Sequence, residues 1–321
     1  MASVLPRRSV QAALAAAAVA AVAVSGCATP KTTAPDGSAS GASSAAKAAS
    51  TVGADQQLHQ QLPAKIRSAG VVRVATDVPY PPFEMFTAAG SSTITGLDYD
   101  LGQAIGAKLG VRFLFTEQKF DGIVPAIQAG KFDAVMSAMT DTKKREAVLD
   151  FVDYSASGSG ILVAHGNPHH ITTLLDLCGQ KVAVQSGSKQ AAMLTGSADP
   201  CSAAGKPKVQ VAQYPKDTDA QLAITSGAVI ADFMDKPAAG YVAKTAGNGS
   251  QFQVIDDPKA PTGVDSTPNG IGVSKTLPGL ASAIRQALQQ LMDDGTYQSI
   301  LKAYGESGIA IAKATMNQAT S

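Results

Sequence analysis

The chain has 321 residues and a net charge of +1, spread without a basic block, so nucleic acid is not an expected partner. It has no Trp, and beyond the N-terminus its apolar runs are short and interrupted, which reads as a soluble body. At the N-terminus, Arg7 and Arg8 precede an uncharged Ala/Val-rich run over 10–24 and then Ser25-Gly26-Cys27. That is a positive region, an apolar region and a small-residue processing site, the pattern of a signal peptide over 1–26. The run is shorter than the ~20 residues a spanning helix needs.

The four residues VSGC (24–27) resemble the lipobox of bacterial lipoproteins, with Cys27 as the lipidated residue, although Leu is commoner where Val24 stands. The following stretch, mostly Ala, Ser, Thr, Gly and Lys, has too little apolar surface to offset ordering and is expected to be a flexible tether over 27–57. Cys178 and Cys201 remain, an even number in an exported chain, and are expected to form a disulfide. Neither has a second Cys or a suitably spaced His nearby, so no metal and no cofactor is expected.

From residue 58 the spacing predicts alternating strands and helices. Residues 71–77 (VVRVATD) read as a strand that runs into turn-prone VPYPPF. Leu101, Ile105 and Leu109 recur at helical spacing within 98–109, with Gly110 as a stop. A strand over 111–115, a helix over 122–129 and a strand over 132–138 complete a first round. A second round places strands at 161–164, 181–188, 209–214 and 228–235, with helices at 172–177, from 190, and at 217–225. A Gly-interrupted strand over 269–275 and an amphipathic helix over 280–291 follow. Alternation of this kind indicates βαβ units and largely parallel sheets, an α/β fold. The Gly/Ser-rich segment 155–160 divides the rounds and suggests two lobes, 58–157 with 270–310 and 158–269, linked by two hinge crossings, with 311–321 as a tail.

Ligands of open α/β sheets sit beyond the carboxyl ends of strands, and four strand ends carry polar residues. They supply Asp77 and Tyr80; Ser137, Thr140 and Arg145; Gly187, Ser188, Lys189 and Gln190; and Asp235. The stretch MSAMTDTKKR (136–145) by itself fits a nucleophile turn, an anion clamp or an ordinary helix start. Arg binds a carboxylate through two parallel hydrogen bonds, and helix-start amides favour the same anion. Asp235 suits an ammonium group. The inventory fits a zwitterion such as an α-amino acid.

GLDYDLGQAIGAKLG (96–110), TDVPYPPFE, FDGIVPAIQAGKFDAVMSAMTDTKKR and VAVQSGSKQ occur with the order and spacing seen in the solute-binding proteins, family 3, of bacterial ABC transporters for polar amino acids, which the chain resembles over 71–306. The resemblance implies a type II periplasmic-binding-protein-like fold, two lobes with mainly parallel sheets flanked by helices, closing over the ligand on two crossing strands. It implies that Arg145 grips the ligand carboxylate with Ser137, Thr140 and the Ser188-Lys189 turn, and that Asp235 holds the amino group, with the Ala138 carbonyl. Tyr80 and Phe120 would cover the aliphatic part, and Asp77 would read the side chain, favouring an amide or a cation. Two departures are Ala138, where many members have Ser, and Lys189, where they have Thr; Lys189 adds a cation able to offset Asp77 or to select an acidic ligand. The implied protein is a monomeric, extracytoplasmic, lipid-anchored receptor that is not an enzyme and serves an ABC permease. Alternatives on the same fold are an exported cyclic-acid dehydratase, with Glu84 or Asp77 as general acid, and a sensor for a membrane partner. Asp98 and Asp100 read as structural helix-start residues, and His165, His169 and His170 as an exposed turn.

Overall fold

A computed structural model of the chain describes Met1 and residues 36–320. Apart from Met1, the expected signal segment lies outside the described residues, as does Cys27. The first elements are helices α1 (Asp36–Ser50), α2 (Gln56–Gln61) and α3 (Ala64–Ala69). The expected tether therefore contains a helix: Ala45 and Ala49 of α1 are buried, and α1 packs on two helices of the body described below. Ala is the best helix former, and its small side chain lets two helices approach closely, so the burial comes from the partners and not from α1 itself.

The first round is β1 (Val71–Thr76), a short hairpin of β2 (Met85–Phe86) and β3 (Ile94–Thr95), α4 (Leu97–Leu109), β4 (Arg112–Glu117), α5 (Phe120–Gln128), β5 (Ala134–Val135) and α6 (Lys143–Glu146). Then comes β6 (Leu149–Ala164), at 16 residues the longest strand. The second round is β7 (Lys181–Gln185), α7 (Lys189–Thr195), α8 (Pro200–Ala203), β8 (Gln210–Tyr214), α9 (Asp217–Thr225), β9 (Ala231–Asp235), α10 (Lys236–Thr245) and β10 (Phe252–Val254). The chain returns through β11 (Val264–Ser274) and ends with α11 (Leu280–Asp293), α12 (Thr296–Ala303) and β12 (Ala310–Met316). The α1 helix lies against α4 and α12. In α11, Leu280, Ile284, Leu288 and Leu291 form the buried stripe that the amphipathic pattern predicts.

The strands order as β4-β1-β5-β11-β6-β9-β7-β8. In each round the first strand lies between the second and the third, and these pairs are parallel. The two rounds therefore repeat one topology. β6 and β11 run antiparallel to each other from Leu149↔Ser274 to Ser159↔Val264, and β6 continues against β9 from Ser159 to Val163. Both strands thus belong to both halves. At one end of this pair Gly158 of β6 lies close to Gly263, just before β11, where a Cβ on Gly158 would clash with the Gly263 backbone.

Residues 311–321, expected as a tail, instead supply most of β12, which pairs with β6. Thr315 Oγ1 donates to Asp153, and the Phe151 amide donates to Asn317 Oδ1, so polar side chains fasten this strand where apolar burial is scarce. The expected strand over 132–138 is regular only at Ala134–Val135, and Ala138 farther on turns the backbone to φ +44°.

Cys178 and Cys201 form a disulfide. Replacing both with Ser is expected to lower stability by about 2–4 kcal/mol, read from the urea midpoint of the purified protein; an unchanged midpoint would show that the bridge adds nothing.

Candidate functional site

The strand ends of both halves converge on a small, nearly closed cavity. From the first half come Asp77 after β1, Tyr80, Phe120 at the start of α5, and Ser137, Ala138 and Thr140 after β5. From the second come Gln185 at the end of β7, Ser188, Lys189 and Gln190 at the start of α7, Asp217 at the start of α9, and Asp235 at the end of β9. Of the strand-end residues singled out in the sequence, Gly187 and Arg145 do not line the cavity. Arg145 is the one of these expected to grip the ligand. It lies beside the cavity, 5.5 Å from the Phe120 ring centroid, and donates to the carbonyls of Thr140 at 2.6 Å and Gly187 at 3.0 Å.

Local chemistry positions each group. Thr142 caps α6 by accepting from the Arg145 amide. The Asp77 amide donates to Ser137 Oγ at 2.9 Å, and Ser137 Oγ donates to Glu84 Oε1 at 2.6 Å, so this hydroxyl holds two strand ends together. The Ala138 amide donates to Asp98 Oδ2 at 2.8 Å, and Tyr154 donates to Asp98 Oδ1 at 2.6 Å. Asp98 is therefore structural, yet it does not cap its helix; α4 starts from Gly96, and Asp98 fixes the turn at Ala138. Asp100 accepts from Tyr304 at 2.6 Å.

Contacts between the halves close the cleft. Tyr80 donates to Asp235 Oδ2 at 3.2 Å and accepts from the Asp235 amide at 3.1 Å. Gln185 Nε2 donates to Asp77 Oδ2 at 2.6 Å, and Lys216 reaches Glu117 and the Val78 carbonyl. Lys189 borders the cavity, but its ammonium is committed to β11. It meets Asp265 Oδ2 at 2.8 Å, the Asp265 carbonyl at 2.6 Å and Thr267 Oγ1 at 2.9 Å.

The cavity wall is acidic. Burial pushes Asp77 up to about 7, and Asp217 and Asp235 up to about 6, while Glu84 is raised well above the usual carboxyl range, also by burial. Asp77 Oδ1, Glu84 Oε2 and Asp217 Oδ1 are buried without a hydrogen-bond partner in the protein. Burial pushes Arg145 down to about 10. Sequence reasoning missed Gln185 and Asp217 as site residues, although both stand at strand ends; Phe233 and Met234 also line the cavity, and nothing in their pattern distinguishes them from core. Glu84, which the sequence offers only as an acid for the enzyme alternative, lines the cavity as well. His165, His169 and His170 are exposed, and no metal-holding cluster occurs among the described residues.

Residues 72–307 match the family described as bacterial extracellular solute-binding proteins, family 3. The chain belongs to that family. The solute-binding protein is 28% identical over 237 residues to the histidine-binding periplasmic protein of Salmonella typhimurium, covering 73% of this chain and 86% of the relative. Among solved structures it is similar to an ancestral arginine-binding protein bound to arginine (TM-score 0.63, 34% identity, 73% of this chain and 98% of the other). It is also similar to the ancestral amino acid-binding protein AncCDT-1, a precursor of cyclohexadienyl dehydratase (TM-score 0.64, 33% identity, 75% and 97%). The family span takes in both rounds, both crossing strands and every residue lining the cavity; α1, α2, α3 and β12 flank it.

Two measurements test this geometry in the solute-binding protein. The raised carboxyls hold protons in the folded state that the unfolded chain, near 3.8, has already released. Their contribution to stability is full below the unfolded value and is lost as pH rises through about 6 to 7. Ligand-free protein is therefore expected to melt higher at pH 5 than at pH 8, and Asp77→Asn to raise the pH 8 value; equal melting at the two pH values in wild type would contradict this. Gly187 has φ +78°, and a Cβ there would meet the Asp121 Cα of the other half at 2.9 Å. Gly187→Ala is expected to cost about 1–3 kcal/mol of overpacking, measured as weaker ligand affinity. Unaltered affinity would show that this contact is not part of the bound state.

Proposed function

We propose that this solute-binding protein captures an amino acid with a cationic side chain in the cleft between its halves and delivers it to an ABC permease. The observation that carries the reading is the charge balance of the cavity. Asp77, Glu84, Asp217 and Asp235 border it, and its lysine is already paired with Asp265. Buried carboxylate oxygens without a donor, as on Asp77, Glu84 and Asp217, are costly, and a cation that supplies N–H groups offsets that cost. The names of the histidine- and arginine-binding relatives point the same way.

In this reading the Arg145 guanidinium, with Thr140 and the helix start at Ser188, takes the ligand carboxylate. Asp235 takes the α-amino group, and Tyr80 and Phe120 enclose the aliphatic stem. Asp77 faces the side chain. The halves built on β1–β5 and on β7–β9 act as lobes that close about β6 and β11. The protein works as a monomer outside the cytoplasm, and Cys27 anchors it to the membrane by a lipid. Catalysis is supported by the buried Glu84 carboxyl in the cavity, which burial raises well above the usual carboxyl range, the direction a general acid needs, and by the likeness to the dehydratase precursor. Turnover of arogenate or prephenate by purified protein would favour that second reading.

Ligand capture is tested by melting-temperature shifts against all twenty amino acids. A ligand at 100 times its Kd adds about 2.7 kcal/mol of apparent stability. Shifts with arginine, lysine or histidine are expected in wild type, and Arg145→Ala is expected to abolish them. Shifts confined to glutamate or aspartate would overturn the charge assignment, and undiminished shifts in the variant would overturn the clamp.

A further inference from the structure

Asp217 is a second carboxylate of the cavity, placed by a different strand from Asp77. It opens α9 just beyond β8 and is 2% exposed. Gln221 Nε2 donates to its Oδ2 at 3.1 Å, and its Oδ1 has no hydrogen-bond partner within the protein. The side chain of Asp232 lies within hydrogen-bonding reach. Asp232 sits fully buried inside β9, between the core residues Ala231 and Phe233, and neither of its oxygens has another partner. A carboxyl in the interior of such a strand is expensive unless something uses it.

The nearest cation on the same segment does not neutralise this pair. Lys216 spends its ammonium on Glu117 and the Val78 carbonyl of the other half. The other titratable groups that feel Asp217 from the surrounding elements are Asp77, Tyr80, Asp232 and Asp235, all acidic. Asp77 and Asp217 thus line one cavity, and apart from the acidic Asp232 beside Asp217, Asp77 Oδ1 and Asp217 Oδ1 have no hydrogen-bond partner in the protein.

We propose that Asp217 is a specificity-determining residue that, together with Asp77, receives the far cation of the bound amino acid, a guanidinium or a long-chain ammonium. The assignment rests on the cationic-ligand reading given above. A guanidinium presents five N–H donors in one plane and no acceptor, so it can serve two carboxylates at once. A side-chain amide has two donors and an oxygen that a carboxylate repels. Two carboxylates on separate strands therefore select for charge, where one would tolerate an amide.

Titration calorimetry on the purified protein tests this with matched pairs, arginine against citrulline and lysine against Nε-acetyl-lysine, for wild type, Asp217→Asn and Asp217→Ser. Circular dichroism checks that both variants fold. Wild type is expected to prefer the charged member of each pair. Both variants are expected to lose at least about tenfold for the charged member and to keep their affinity for the neutral one. A preserved preference in a folded variant overturns the role of Asp217 and leaves the ligand class standing. Failure of wild type to bind any cationic amino acid removes the ligand class, and the role of Asp217 with it.

Discussion

The cleft depends on two strands that are shared between both halves of the molecule. β6 and β11 pair with each other, carry the third strand of each round on their outer edges, and are approached closely at Gly158 by Gly263, just before β11. The helix start that faces the cavity is tied directly to them. Lys189 of α7 reaches Asp265 and Thr267 on β11, and Gln190 reaches Ser159 on β6 at 3.0 Å. β12 braces β6 from outside, so the crossing is three strands thick near Asp153 and Ser155. In the proposed function β6 and β11 are the hinge about which the halves close.

On that frame the protein carries a cluster of buried acids: Asp77, Glu84 and Asp217 each keep one oxygen without a partner in the protein, while Asp235 accepts from Tyr80 and Gln190. Desolvation raises Asp77, Glu84, Asp217 and Asp235, because burial penalises the charged form more than the few hydrogen bonds favour it. Such a cavity costs stability in the folded protein. A ligand of the proposed cationic class, supplying donors and positive charge, would recover that cost. The proposed carboxylate clamp differs, since Arg145 is already held by two carbonyls, one from each half, and needs little ordering when a ligand arrives.

The family match and the two solved structures show the same architecture from a different direction. Segments outside the matched span add to it without touching the cavity: α1 covers α4 and α12, and β12 covers β6. Both lie on the first half or on the crossing. The second half instead has the Cys178–Cys201 bridge, which ties the segment after the short helical turn at Leu174–Leu177 to α8.

Periodicity and strand-end chemistry in the sequence determined the α/β alternation, the two rounds and the polar residues that gather at the cleft. Those signals are local: a 3.6- or 2-residue period and a polar group after an apolar run need no knowledge of the partner. The motif order carried the family as well. Tertiary structure alone decided the rest. Ala-rich α1 and polar β12 have too little apolar pattern to announce themselves, and they form because surfaces far away in sequence accept them. Lys189 reads as a cavity cation until Asp265, 76 residues later, claims its ammonium. Asp98 looks like a helix cap until the Ala138 turn and Tyr154 take both its oxygens. Asp217 and Asp232 read as an ordinary helix start and a strand residue. Only the packing of β8, β9 and α9 places the two carboxyls together and Asp217 against the cavity, because the energy of a buried charge depends on what surrounds it and not on its neighbours along the chain.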